Sequence, residues 1–138
     1  VKIYYSGFCG SQLTEINGSR GEDKNIPHLL GHEGSGLVLD IGPGVTTVSK
    51  GDHVVLHYMQ SSGIESRTPK YKWGDKIVSA GGVTTFNDRA IISENRLTKI
   101  PKNFDLMYET KLTNNTHSPI PPRDMVWSRI TQYHGGKY

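Results

Sequence analysis

A histidine and a carboxylate stand side by side near the start of a glycine-punctuated stretch, residues 31–45. They are His32 and Glu33, and the only cysteine of the chain, Cys9, lies upstream of them. Thiolate sulfur, imidazole nitrogen and carboxylate oxygen are ligands that zinc prefers. A catalytic zinc ion takes three protein ligands and keeps one position open for water or substrate. Cys9, His32 and Glu33 are therefore candidate ligands of a catalytic zinc ion.

The composition limits the class of protein that can carry such a site. A chain of 138 residues is long enough for one domain with a buried core, and its 16 glycines favour a turn-rich β protein over a helical bundle. The net charge of +3 is too mild and dispersed to predict a nucleic-acid or membrane partner. A single cysteine cannot form an internal disulfide, which favours a reducing compartment, the cytoplasm.

Short runs of β-branched and aromatic residues between turn signals predict most of the secondary structure. A short helix is expected over residues 11–15, with Ser11 as its cap. Four glycines that follow the His-Glu pair are expected to allow tight turns and close approach of neighbouring backbone segments. They are Gly34, Gly36, Gly42 and Gly44. The predicted strands cover residues 1–5, 37–41, 53–58, 76–79, 84–86, 89–92 and 97–100.

The predicted core follows from alternation within the strand at residues 53–58. Side chains alternate between the two faces of a strand, so Val54, Leu56 and Tyr58 share one face. Val38, in the preceding predicted strand, is expected to pack with Val54 and Leu56. The sequence thus predicts a small barrel or sandwich.

The spacing G-H-E-x2-G-x5-G-x2-V over residues 31–45 resembles the signature of the zinc-containing alcohol dehydrogenases, in the medium-chain dehydrogenase/reductase family. The resemblance covers roughly residues 1–107 and implies a mainly β fold. That fold is a chaperonin-10-like (GroES-like), partly open β-barrel with a few short helices. The other segments that carry the resemblance are Val1-Lys2-Ile3, Gly7-Phe8-Cys9-Gly10-Ser11, Pro27-His28-Leu29-Leu30, Gly51-Asp52-His53-Val54-Val55 and Glu94-Asn95-Arg96-Leu97.

The resemblance implies roles for the residues around the candidate zinc site. It makes Cys9 and His32 ligands of the catalytic zinc ion, while Glu33 either binds the metal or stands behind a ligand. It makes Ser11 the catalytic hydroxyl that hydrogen-bonds the substrate alcohol and passes its proton outward. Gln12 departs from the acidic residue that is common in the family at that position, where an acid can orient a ligand histidine.

Two elements of the family's metal chemistry have no counterpart in this sequence. The remaining catalytic ligand is commonly a cysteine that enters with the nucleotide domain, and no second cysteine exists here. His57 could substitute, although a hydrogen-bonded strand residue is the plainer interpretation.

The structural zinc of many relatives would fall in residues 60–76, which contain no cysteine. That segment is expected to be a solvated lobe, which the side chains of Tyr71 and Trp73 anchor to the rest of the domain.

The chain also departs from a complete dehydrogenase in its organisation. Residues 1–107 match the N-terminal part of the catalytic domain, and no G-x-G-x-x-G motif follows Ile100. Residues 108–118 are the predicted junction where the nucleotide-binding domain is absent. Residues 119–138 loosely match the segment that completes the catalytic domain, although a scrambled tail is an alternative. A short helix is predicted there, capped by Asp124 and burying Met125, Trp127 and Ile130. The strand-like first residues suggest that a preceding piece is missing.

Two functions from different classes remain open at this point. The first is the catalytic portion of a zinc-dependent alcohol dehydrogenase, inactive by itself. It would take a small alcohol or aldehyde substrate, with NAD or NADP bound only by the full-length and possibly homo-oligomeric enzyme. The second is a non-catalytic chaperonin-10-like module for binding or assembly. The sequence does not identify the substrate.

Overall fold

Strands and short turns dominate the fold of this chain. The computed structural model describes residues 1–19 and 21–107, together with the backbone of residues 126–129. The mainly β class predicted from the sequence is confirmed. The elements are β1 (Lys2–Phe8), α1 (Gly10–Ile16), β2 (Gly34–Leu37), β3 (His53–Leu56), β4 (Lys70–Trp73), β5 (Lys76–Ser79), a 3-10 turn (Glu94–Arg96), β6 (Leu97–Ile100) and β7 (Val126–Arg129).

Five of the strands form one antiparallel sheet in the order β6-β3-β2-β1-β7. The described strands leave this sheet open rather than closing it into a barrel. The other two, β4 and β5, form a separate antiparallel hairpin. The described part of the chain contains no helix with the length and apolarity that crossing a membrane requires.

The core lies against the sheet at β3. Val54 and Leu56 have no exposed surface, and Val38 is 2% exposed, as the predicted packing of these three residues requires. Tyr58 does not join them, because β3 ends at Leu56 and the Tyr58 ring is half exposed. The rest of the core cluster consists of Ile3, Val48, Val83, Ala90 and Leu97.

The strand that follows the His-Glu pair lies earlier than the sequence predicts. A strand was expected at residues 37–41, but β2 ends at Leu37 and consists of the sequence GSGL. Glycine is a poor strand former in general, yet here it is the residue that fits. A Cβ on Gly34 would lie 2.5 Å from the Tyr5 carbonyl oxygen, and one on Gly36 would collide with the Lys2 carbonyl. Close backbone contact with β1 therefore decides the position of β2.

Four further local predictions are wrong. Residues 84–86 and 89–92 form no strand, although Arg89 makes a single bridge to Lys2. The cap of α1 is Cys9, whose Sγ accepts a hydrogen bond from the Ser11 N–H at 3.3 Å, so Ser11 is not the cap. Val126–Arg129 is strand β7 rather than part of a helix. The rest of that predicted helix, including Asp124, lies outside the described residues.

The segment without cysteines, residues 60–76, contains β4 and the first residue of β5, which form a hairpin. The Tyr71 hydroxyl accepts a hydrogen bond from the Ile91 N–H at 3.1 Å, which joins the hairpin to the main body as predicted. Trp73 does not anchor the lobe, because 71% of its surface is exposed. Lys70, Lys72 and Lys76 are also exposed, which agrees with a solvated lobe.

A buried carboxylate holds two loops together beside the core. Glu94 is 3% exposed, and its Oε1 accepts hydrogen bonds from the Thr46 and Thr47 N–H groups at 2.6 Å each. Its Oε2 accepts a third from the Ile64 N–H at 2.9 Å. These backbone donors favour the charged form and lower the pKa of Glu94 to about 2.

We expect Glu94→Gln to destabilise the fold at neutral pH, because an amide cannot accept all three hydrogen bonds. A lowered carboxylate pKa contributes stability above the unfolded value of 4.5, and that contribution disappears as pH falls toward 2. The melting temperatures of wild type and variant should therefore converge on acidification. Thermal unfolding measured from neutral pH to about pH 2 checks this, with the exposed Glu22→Gln as the control expected to match wild type throughout. A gap of constant size would contradict the role of the Glu94 charge.

Candidate metal centre

The pairing of β1 with β2 brings the candidate zinc ligands to one end of the sheet. Because the two strands are antiparallel, with Ser6 opposite Gly34, the end of β1 meets the start of β2. Cys9 directly follows β1 and caps α1. His32 and Glu33 directly precede β2. The register of two strands thus joins residues that are far apart in sequence.

The segment before β2 is held by a hydrogen-bonded threonine. The Thr85 hydroxyl donates to the Glu33 carbonyl oxygen at 3.1 Å and also contacts the Ser6 hydroxyl at 2.7 Å. The Thr85 N–H donates to the Leu30 carbonyl. Between these contacts Gly31 has a φ of +90°, and a Cβ there would lie 2.8 Å from the Thr85 backbone nitrogen. The backbone that presents His32 is therefore fixed on both sides.

The three candidate ligands lie close enough together to share one ion. The Cys9 Sγ, a His32 ring nitrogen and a Glu33 carboxylate oxygen all lie within 4.8 Å of one another. The Sγ is 3.5 Å from the His32 Nε2, which is 3.7 Å from the Glu33 Oε1. Tetrahedral zinc bound to sulfur and nitrogen would separate these two atoms by about 3.6 Å. The donor set and its spacing therefore fit zinc.

Burial acts on the two ionisable neighbours in opposite directions. Desolvation lowers the pKa of His32, which favours the neutral imidazole that a metal needs, although Glu15 partly opposes this shift. Desolvation raises the pKa of Glu33 to about 7. A cation at this position would compensate the cost of the buried carboxylate.

Two polar side chains of α1 contact the candidate ligands. The Ser11 hydroxyl lies 2.7 Å from Sγ, so this predicted catalytic residue borders the candidate metal position. Gln12 is 3% exposed, and its amide contacts the Cys9 backbone and the His32 ring. Tyr58 packs edge-on against that ring, with 5.8 Å between the ring centroids. Cys9 and His32 thus lie among the polar side chains of Ser11 and Gln12 and the ring of Tyr58.

His57 is not part of this cluster. It follows β3, and its Nδ1 lies 2.7 Å from the Met59 carbonyl oxygen while its Nε2 lies 2.9 Å from the Thr98 hydroxyl. Both ring nitrogens are therefore occupied, which agrees with the plainer interpretation of this residue.

A second cluster of titratable side chains was not predicted from the sequence. The His28 Nε2 lies 2.5 Å from the Asp23 Oδ2 and 3.7 Å from the Glu15 Oε1. The hydrogen bond to Asp23 raises the pKa of His28, so these residues form an ion-paired group. His28 adjoins the signature, but Asp23 lies in a polar loop whose sequence carries no signal for the contact.

Comparison with family models identifies the fold that carries this centre. The alcohol dehydrogenase GroES-like domain matches residues 1–102, which is most of the chain. The chain belongs to this family. The resemblance predicted from the 31–45 signature is thereby confirmed, together with the GroES-like character of the mainly β fold.

The alignments with individual relatives cover about half of this GroES-like chain. The class-3 alcohol dehydrogenase of Dictyostelium discoideum is 44% identical over 63 residues, which cover 46% of this chain and 16% of that protein. The S-(hydroxymethyl)glutathione dehydrogenase of Photobacterium damsela subsp. piscicida is 41% identical over 63 residues, covering 46% of this chain and 17% of its own length. The matched part therefore spans about a sixth of these relatives.

A solved structure shares the fold over a longer part of the chain. The apo form of zinc dependent alcohol dehydrogenase 2 from Streptococcus pneumonia superposes with a TM-score of 0.58 at 23% identity. The match covers 81% of this chain and 34% of that structure. At this identity the similarity establishes a common fold.

We expect Gly31→Ala to destabilise this GroES-like domain by at least about 2 kcal/mol. An alanine at a φ of +90° is strained, and its methyl group would press on the backbone of Thr85. Chemical denaturation of wild type and variant measures the difference. Gly42→Ala is the matched control, because nothing lies within 4 Å of a Cβ there, and it should change stability by less than about 0.5 kcal/mol. Equal stability of Gly31→Ala and wild type would show that the segment before His32 is not constrained as described.

Proposed function

We propose that this chain is the catalytic-domain portion of a zinc-dependent, nicotinamide-linked alcohol dehydrogenase, which oxidises an alcohol to an aldehyde or ketone. The observation that carries the proposal is the clustering of Cys9, His32 and Glu33 at zinc-compatible distances in a domain of the alcohol dehydrogenase family. The single cysteine supports a cytoplasmic location, where disulfides are rare. The substrate is a small alcohol or aldehyde, and the proposal includes no nucleic-acid or membrane partner.

Each residue of the centre has a separate part in the proposed reaction. Cys9 and His32 hold the metal, and Glu33 either completes the set or balances its charge from behind. When bound, zinc supplies a Lewis acid that makes the substrate hydroxyl more acidic. The Ser11 hydroxyl lies 2.7 Å from the Cys9 Sγ, beside the proposed metal position, and it would accept the proton of the substrate hydroxyl while passing its own proton outward to solvent.

The proposed cofactor, NAD or NADP, belongs to the full-length enzyme rather than to residues 1–138. We interpret residues 1–107 as the first part of the catalytic domain, 108–118 as the junction and 119–138 as its closing segment. The antiparallel pairing of β7 (Val126–Arg129) with β1 supports the last assignment, because it adds a late part of the chain to the sheet that carries Cys9. Homo-oligomerisation is likewise proposed for the full-length enzyme only.

Removal of a ligand should remove the metal. We expect Cys9→Ser and His32→Ala each to lose most of the zinc that the wild type retains after dialysis, because each deletes a ligand atom. His57→Ala is the matched control and should retain zinc, since that ring is bonded to Met59 and Thr98. Metal content and the absorbance of the cobalt(II)-substituted proteins, which reports thiolate coordination, measure the outcome.

Zinc binding should also weaken as pH falls below about 7, where protons compete for the Glu33 carboxylate. Protons compete for His32 only at lower pH, because its pKa is lowered. Wild-type zinc content in the Cys9 and His32 variants, or loss of zinc from His57→Ala alone, would overturn the ligand assignment. The non-catalytic GroES-like module would then become the better interpretation.

The 138-residue chain should not oxidise alcohols by itself. The proposal assigns the site that holds NAD or NADP to a nucleotide domain, so we do not expect residues 1–138 alone to hold a hydride acceptor beside the metal. Zinc-loaded protein incubated with either cofactor and a panel of primary and secondary alcohols should show no cofactor reduction above that of Cys9→Ser. Reduction that depends on Cys9 would overturn the assignment of the cofactor site to another domain.

A further inference from the structure

A buried amide, that of Gln12, contacts the His32 ring on the side away from the proposed metal position. The Gln12 Oε1 accepts a hydrogen bond from the Cys9 backbone N–H at 3.1 Å. The Gln12 Nε2, on the other side of the amide, is hydrogen-bonded to the His32 Nδ1. Gln12 is 3% exposed, so water does not replace either contact readily. The cap of α1 and the candidate zinc ligand therefore depend on the same side chain.

The direction of these hydrogen bonds follows from the chemistry of their atoms. The Cys9 backbone N–H can only donate, so it must face the amide oxygen. The amide nitrogen that remains is also only a donor, and the His32 Nδ1 must therefore accept. In a neutral imidazole whose Nδ1 accepts, the proton sits on Nε2.

That tautomer is the wrong one for a metal on Nε2. The Nε2 edge of His32 faces the Cys9 Sγ at 3.5 Å and the Glu33 Oε1 at 3.7 Å, where the proposed zinc would bind. Binding needs the lone pair on Nε2, which moves the proton to Nδ1. The Nδ1–H would then point at the NH₂ group of Gln12. Ligand histidines normally donate that proton to a carboxylate, a carbonyl or water.

We propose that Gln12 is a positioning residue that holds His32 in the Nε2–H tautomer and so weakens metal binding at Cys9, His32 and Glu33. The part that concerns the metal rests on the proposed function, whereas the tautomer does not. Rotation of the amide by 180° does not remove the conflict between donors, because it turns the NH₂ group toward the Cys9 N–H. One pair of donors faces each other in the metal-bound state in either orientation.

A glutamate at position 12 removes this conflict without changing the shape of the side chain. One carboxylate oxygen accepts from the Cys9 N–H and the other accepts from the Nδ1–H of His32, which leaves Nε2 free for the metal. Altering such a partner of a ligand histidine typically changes metal affinity 10–100-fold. We expect Gln12→Glu to bind zinc tighter by a factor in that range.

The added charge of Gln12→Glu could raise affinity by itself, so the control must carry the same charge. Leu13→Glu places it one residue further along α1, on a side chain that is 47% exposed. It should change zinc affinity by no more than about threefold, because an exposed charge is screened by solvent. Competition titration against a zinc chelator gives the affinities of wild type and both variants.

The tautomer is measured on the metal-free 138-residue chain, independently of any affinity. Nitrogen chemical shifts of ¹⁵N-labelled histidine distinguish Nδ1–H from Nε2–H, and His32→Ala identifies the His32 signals. We expect Nε2–H in wild type and Nδ1–H in Gln12→Glu. Nδ1–H in wild type, or an affinity of Gln12→Glu no higher than that of Leu13→Glu, would overturn the proposal. Absence of zinc binding in every variant would overturn the proposed metal centre, and the wild-type shifts would still decide the tautomer.

Discussion

Close backbone contact between β1 and β2 is the constraint on which the candidate site depends. Gly34 and Gly36 let β2 lie against the carbonyl groups of Tyr5 and Lys2, where any side chain would collide. This contact fixes the register, and the register places Cys9 beside His32. The glycines that follow the His-Glu pair are thus as necessary to the site as the residues with reactive atoms.

The sequence was most informative where one physical cause dominates. β5 and β6 coincide with their predicted bounds, because both contain β-branched residues and turn signals lie nearby. The core positions Val54 and Leu56 followed from the alternation of side chains along β3. The family signature indicated which residues could bind zinc, and the structure brings those three side chains together. Their roles as ligands, and that of Ser11 as a catalytic hydroxyl, stay predictions.

The errors occur where long-range contacts override local preference. Residues 37–41, all apolar except Asp40, have higher strand propensity than GSGL, yet only the glycines fit against β1. The pattern in the 126–129 region suits a short helix, but pairing with β1 makes it a strand. The error at the start of α1 is instead a local one, because the sulfur of Cys9 takes the cap position that the hydroxyl of Ser11 suggested. The contact between Gln12 and His32 joins residues far apart in sequence, and no local pattern reveals it.

The sheet order also has a consequence for the synthesis of the chain. β1 is made before both of its neighbours in the sheet. β2 can cover one edge of β1 early, but the other edge pairs with β7, which follows all the other described strands in the sequence. Until Val126–Arg129 has left the ribosome, the backbone N–H and C=O groups along that edge have no strand to bind. An exposed edge strand is a template for pairing with other chains. β1, which ends just before Cys9, therefore keeps one edge open to such pairing until β7 is made.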